Sequence, residues 1–532
     1  KFLWIAIFGY FLVMFLATLF ADAPLLSFWG AYFRLQGFYT ILHYLLFFLL
    51  LVFGISDTKI LRGMIVLAVL TSFLVSLNGL LQYFLPNYMD FWNIDKFLGR
   101  IFSTMGHPNY LGTYLIMMIP LSFVMFLKNH NWKQYFYITV FAVQVLALIL
   151  TFGRASLLGL MAGGLFFALV YTFRNGYKKL FLTSLIVPLI GVLVLVGVNV
   201  FSSSPTVNGN AFLSRLVLEG ENVRSIETRL VMWPAVLEQI ANRPFLGYGP
   251  DSFSNNFMKY APAELLHVED LNSRADRAHN TFLDLLAVGG ILGLLAYLGV
   301  LISIFMIGLR SRKDVVLGLL SGLFALLVAN QFGFSMVTHY VYFWFFVGGI
   351  LLLSFESRNS LKIPENIFFK VFAVLIIAAV SGFLIFSHNV KLVKADYYFR
   401  KGFTDLYAVG VFEMMKDYKI ACELNPHQDY YNFATANLAM ELKAFEVAEM
   451  YLEKAGEFND FNHIYHFDLA RLNASTGKDF DSEFEKASLL APTYHYVYLE
   501  WGKALNGVSE HTRAVEKLEK YLSLTPEYWK WK

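Results

Sequence analysis

Over roughly its first three quarters the chain repeats one motif of hydropathy, an unbroken apolar run closed by a short polar turn. Runs of about 20 residues are what an α-helix needs to cross about 30 Å of hydrocarbon. Eleven are expected, at approximately 3–20, 36–54, 62–84, 109–127, 134–152, 155–173, 180–200, 281–309, 314–330, 338–355 and 367–388. Unbroken runs read as helices, because a barrel strand would show a weak alternation instead. The pattern therefore predicts an all-α, polytopic membrane bundle of about 11 transmembrane helices over residues 1–389. One long polar stretch, 201–280, interrupts it. The first run ends near Ala21-Asp22-Ala23, a faint likeness to a signal-peptidase site, but with so many runs following, an ordinary first helix is expected.

The short loops give an orientation. Lys59, Arg62, Lys128, Lys133, Arg174, Lys178, Lys179, Arg310, Arg312, Lys313, Arg358 and Lys362 fall in one alternating set of loops. The other set holds only Arg34, Lys96, Arg100 and Arg154. Basic residues collect on the cytoplasmic side. The amino terminus is thus expected inside, and the 201–280 loop and everything after about residue 389 outside.

Composition agrees with a membrane protein: 57% hydrophobic residues, 15% charged and 54 phenylalanines exceed ordinary globular usage. The net charge of +3 says nothing by itself and gives no reason to expect nucleic acid as a partner. A single cysteine, Cys422, excludes a disulfide framework and a cysteine-built metal site. After residue 390 the character changes to soluble, and Ala421–Pro426, Ala487–Pro492 and Leu522–Pro526 echo one another at a spacing of two periods and then one period of about 33. Amphipathic stretches such as Phe445–Lys454 and Thr512–Leu522 lie between them. Residues 390–532 therefore resemble tetratricopeptide repeats, a scaffold that binds partners. Asp479-Phe480-Asp481 looks like a metal-nucleotide pair, but within a helical repeat it reads as surface charge.

Polar residues at the edges of apolar runs are the candidates for chemistry. Arg154 stands between two runs with almost no loop, so its guanidinium is held at the membrane edge, where it either serves function or snorkels to headgroups. His107, Pro108 and Asn109 sit where the fourth run begins: a proline suited to a helix start, flanked by two polar side chains. Glu227–Ile240 reads as an amphipathic helix with Arg229 and Trp233 four apart on one face. Arg243–Phe253 is a glycine and proline turn region. Arg277, His279 and Asn280 then open the eighth run, where helix N–H groups and the dipole favour an anion.

In that order, Gly-His-Pro-Asn-Tyr-Leu-Gly, Thr-Phe-Gly-Arg-Ala-Ser, Arg-x3-Trp with Asn-Arg-Pro-x2-Gly-x-Gly, and Arg-Ala-His-Asn before a Gly-Gly pair resemble the O-antigen ligase and polymerase family of bacterial membrane glycosyltransferases. The resemblance covers about residues 1–355. It implies transfer of a glycan from an undecaprenyl-diphosphate-linked donor to a hydroxyl of a lipid, glycan or protein acceptor, at the outer face of the bacterial cytoplasmic membrane, with no metal or cofactor. It also implies functional roles for Arg154, Arg229 and His279. Arginine suits the charge growing on a departing diphosphate, and histidine suits removal of the acceptor proton, with inversion if transfer takes one step. Arg277 and Arg100 are further cation candidates; Asn280, Trp233, His107 and Arg34 are expected to line the substrate site, and Asp276 or Asp284 to orient the histidine.

Ligase, polymerase and protein O-oligosaccharyltransferase members share these motifs, and the repeats favour a docked acceptor. From other classes, a small-anion transporter and a non-catalytic receptor displaying the repeats stay open. Against transport stand the lack of charged residues near the middle of most runs and of paired interrupted helices.

Overall fold

The structure is a computed structural model that describes residues 1–526 except 56, 86–98, 210–213, 215–216, 218–220, 269–273, 356–366 and 409. Lys96, Arg358, Lys362 and the Asp270 end of the outer-loop motif lie outside the described residues. Among the described residues the chain is helical and without strands.

Each of the apolar runs is a helix, from Phe2–Leu19 and Phe38–Gly54 to Val337–Ser354 and Ile367–Leu384. Among the described residues 7 helices are long and apolar enough to cross a membrane; Phe38–Gly54 and Asp314–Ala329 are apolar but shorter. The molecule is thus a polytopic helical membrane protein. Its starts obey local chemistry: Pro108 occupies the first position of Pro108–Lys128, and the preceding His107 accepts the Asn109 N–H at 3.1 Å.

Close approach in hydrocarbon needs small residues, because lipid offers no hydrophobic drive toward helix pairing. Arg154–Arg174 packs on Asp314–Ala329 through Gly159 and Gly163, where a Cβ would run into the carbonyl groups of Ala325 and Ser321. At Gly112 a Cβ would strike the Ser156 side chain, so the motif around His107 and the motif around Arg154 lock together. Deeper in the bundle Gln144 bridges Ser72 at 2.6 Å and Ser122 at 2.7 Å, leaving both ends of its amide satisfied.

The long helix Thr281–Arg310 is broken at Gly290, whose backbone (φ 61, ψ −167) is open only to glycine. The turn that follows Arg243 repairs the break. Tyr248 and Gly249 donate their N–H groups to the carbonyls of Ala287 and Val288, both at 2.9 Å. Ile291 and Leu292 donate to the carbonyls of Pro244 and Phe245, at 2.8 and 3.3 Å. Broken backbone survives next to lipid only where protein satisfies it, so the Arg-Pro-x2-Gly-x-Gly turn and the Gly-Gly pair are two halves of one joint.

Residues 390–526 form helical hairpins whose first helices begin at Asp429, His463 and His495, 34 and 32 residues apart. They rest on the same end of the bundle as the 201–280 loop. Tyr32 stacks on Tyr430 at 4.5 Å and donates to Asp396 at 2.6 Å, and Thr493 donates to the Ala261 carbonyl at 3.0 Å. Asp481 accepts from the Trp501 indole at 2.6 Å and pairs with Arg513, so this one carboxylate of the Asp-x-Asp pair holds two hairpins together.

Candidate functional site

Helix Glu221–Asn242 supplies the centre of the site, with Ser225, Arg229 and Trp233 on successive turns of one face. Arg154 opens its own helix four residues after Leu150 ends the one before, and it donates to the Ser225 hydroxyl at 3.0 Å. Arg229 donates to the Ser225 carbonyl at 2.8 Å and to the Phe332 carbonyl at 2.9 Å. The Trp233 indole N–H donates to the Ala278 carbonyl at 2.9 Å. Ser225 thus joins the two arginines, and Trp233 ties the Arg229 helix to the residue before His279.

Both polar groups of Ala278 are taken by side chains, since its N–H also donates to Asp284 at 2.6 Å. This grip holds His279 at φ 53, a left-handed conformation that is costly for any residue but glycine. The half-buried imidazole lies 5.1 Å from the Phe334 ring, and among the described residues neither of its nitrogens has a hydrogen-bond partner. Arg34 covers the same Phe334 ring at 4.8 Å, pairs with Asp276 and donates to the Tyr110 hydroxyl at 2.9 Å. His107 lies against Tyr110 at 5.0 Å, and Arg100 donates to Asn109 and to the Thr151 carbonyl, both at 2.8 Å.

Electrostatics couple these groups. Burial first, then the charges of Arg229 and Arg34, push the His279 imidazole down to about 4, with Asp276 pulling the other way. Burial, then Arg100 and Arg34, push His107 to about 4 as well. At neutral pH both rings are uncharged, set among Arg34, Arg100, Arg154 and Arg229. Such a place attracts a polyanion and leaves imidazole able to take a proton.

Two expected residues have a different setting. Arg277 is buried, donating to Asp251 at 2.6 Å and to Gln36 at 3.3 Å. Burial works against its charge, but the carboxylates of Asp251 and Asp284 hold its pKa above the ordinary value. Asp251 also accepts the backbone N–H groups of Ala31 at 2.8 Å and Gln36 at 3.0 Å, which fastens the turn after Trp29 to the loop. Asn280 caps its helix by accepting from Phe282 at 3.0 Å and Leu283 at 3.2 Å, while the Thr281 N–H goes to the Asn330 carbonyl at 2.9 Å. The anion site expected at this helix entrance is therefore filled by the protein's own acceptors. Nor does either expected carboxylate hydrogen-bond the His279 ring, since Asp276 serves Arg34 and Asp284 serves Ala278.

Sequence reasoning passed over Ser225, Tyr110 and the Phe332–Met336 segment. The signal for the last was present, since Asn330-Gln-Phe-Gly-Phe-Ser335 is a polar interruption between two apolar runs. Among the described residues no group of three or more His, Cys, Asp or Glu side chains could hold a metal ion.

A polytopic bundle that gathers arginines and two neutral histidines at one end defines the class, an integral membrane protein with a candidate site at that end. Residues 139–298, a segment that holds Arg154, Arg229 and His279, match the family model described as O-antigen ligase. The chain is also similar to the ComP-specific O-oligosaccharyltransferase of Acinetobacter baylyi, 22% identical over 360 residues. That alignment covers 62% of this chain and 58% of the relative's own length.

Proposed function

We propose that the protein transfers a glycan from a polyprenyl-diphosphate carrier to an acceptor hydroxyl at the extracytoplasmic face of a bacterial cytoplasmic membrane. The observation that carries this reading is the joined set Arg154–Ser225–Arg229 beside the uncharged, unbonded His279. The acceptor oxygen attacks the anomeric carbon, the bond from that carbon to the diphosphate oxygen breaks, and the electron pair leaves with the diphosphate. Arg154 and Arg229 stabilise that growing charge, with Arg34 and Arg100 at the rim. His279 accepts the proton of the acceptor hydroxyl. One displacement inverts the anomeric centre, and no step in this scheme calls on a metal.

A pKa of about 4 makes His279 a weak base in the free protein. The donor corrects this. A diphosphate among the arginines offsets the charges that depress the ring, so His279 gains basicity only when there is a donor to attack. Trp233 and Asn280 then act by holding the His279 turn, His107 by lining the rim, and Arg277 by holding the loop to the bundle.

The name of the similar oligosaccharyltransferase and the docked repeats favour a ligase with a protein acceptor over a polymerase, the repeats serving as a tetratricopeptide-like cradle. Incubating the purified chain with polyprenyl-diphosphate glycan and, separately, lipid, glycan and protein acceptors, then weighing the products, tests this. A product with none of the three, while anion flux appears in proteoliposomes, would overturn it in favour of transport.

A further inference from the structure

Between the bundle and the first hairpin lies a second cavity, of about 450 Å³, which the transfer chemistry does not use. Its walls come from the first turns of Phe38–Gly54 (Tyr39, His43, Phe47) and of Val337–Ser354 (Val337, Val341), with Leu392 and the Asn425–Gln428 turn closing it. The volume falls within the roughly 300–1,000 Å³ of pockets that enclose a ligand. Its lower walls are the outer ends of apolar helices, so it opens where hydrocarbon meets headgroups. Water finds few partners on such walls, and empty apolar space of this size is costly.

One end is polar. Trp29 lies 4.4 Å from the His388 ring and 5.4 Å from the His427 ring, forming an aromatic rim with hydrogen-bonding edges. Two buried side chains lining the cavity, Gln428 (1% exposed) and Tyr44 (5%), carry oxygens with no hydrogen-bond partner among the described residues. Unmet groups of this kind are rare unless something outside the protein meets them. Tyr44 also lines the smaller cavity that reaches Arg277 and Asp251, so the two spaces share a wall.

We infer that this junction cavity binds the aliphatic chain of a membrane lipid, with the lipid's polar end at the Gln428, His388 and His427 rim. Acyl and prenyl chains both satisfy such walls, which recognise length and apolarity alone. The inference stands independently of the proposed transfer.

The test uses the full chain in phosphatidylethanolamine and phosphatidylglycerol nanodiscs, doped either with phosphatidylglycerol bearing a diazirine at its acyl terminus or with a polyprenyl phosphate bearing one at its distal end. After irradiation, adducts should concentrate on peptides holding His43, Val341 and Leu392, saturate with probe, and be displaced by the unlabelled lipid. The probe that labels tells whether the source is bulk phospholipid or carrier. Val341→Trp and, independently, Leu392→Trp should cut labelling about tenfold, the effect of denying the chain some two methylenes of burial. Labelling of the wild-type peptides that is no stronger or more saturable than on the outward Leu292, Leu295 and Ile302 face overturns the inference, whatever the variants do.

Discussion

Arg277 and Arg229 belong to the same polar stretch, 201–280, yet the structure uses them in opposite ways. Arg277 is sealed against Asp251 and Gln36, whereas Arg229 is half-buried on its helix face, joined to Arg154 through Ser225, and donates to the Ser225 and Phe332 carbonyls. A buried ion pair is poor at attracting a ligand, because its charge is already compensated and water has left. A half-buried guanidinium near a second one can still answer a diphosphate. Residue type and motif membership therefore do not set the role. Enclosure does.

Several substitutions would break or sharpen that contrast. The largest effect belongs to His279→Ala, which should lower transfer by about 10²–10⁴-fold, the usual contribution of a positioned base, with unchanged thermal unfolding. Arg229→Ala and Arg154→Ala should each cost about 10²–10³-fold in kcat, and Lys at either position should recover little, since it lacks the bidentate fork. Arg277→Ala should instead lower stability by about 3–5 kcal/mol, read by denaturation in detergent, because it strands a buried Asp251. Gly290→Ala should also destabilise, by about 1–3 kcal/mol from the glycine-only backbone, with the clash of its Cβ against the Phe245 backbone carbonyl adding to that.

The pH profile gives the finest discrimination. His279 must be uncharged to take a proton, so activity falls as pH drops through its pKa. For kcat/KM, which reports the free protein, that limb should lie near pH 4. For kcat, with the donor's charge among the arginines, the limb should lie higher. Equal limbs would mean that the donor does not reach the field around His279.

Much of this was legible in the sequence. Helices as long and apolar as Pro108–Lys128 and Thr281–Arg310 are set by hydropathy and helix-start chemistry, and they occur where the pattern puts them. The helix carrying Arg229 and Trp233 is longer than expected, Glu221–Asn242, but presents both residues on one face. What the sequence hid was pairing across distance. Nothing local tells that Asp251 would claim Arg277, or that Asn280 would spend its oxygen on its own helix. Nothing local tells that the turn after Arg243 would mend a break some 45 residues on. Partners of this kind are chosen by the folded bundle, and Ser225 and Phe334 entered the site only through it.

The central claim is that Arg229 and His279 act on the reaction while Arg277 acts on the fold. The most direct measurement is the transfer rate, per folded molecule, of the purified wild-type, His279→Ala, Arg229→Ala and Arg277→Ala chains with polyprenyl-diphosphate glycan and its acceptor. The account predicts near-complete loss for the first two variants at wild-type stability, and near-normal turnover for whatever fraction of Arg277→Ala remains folded. Wild-type turnover from folded His279→Ala would contradict it.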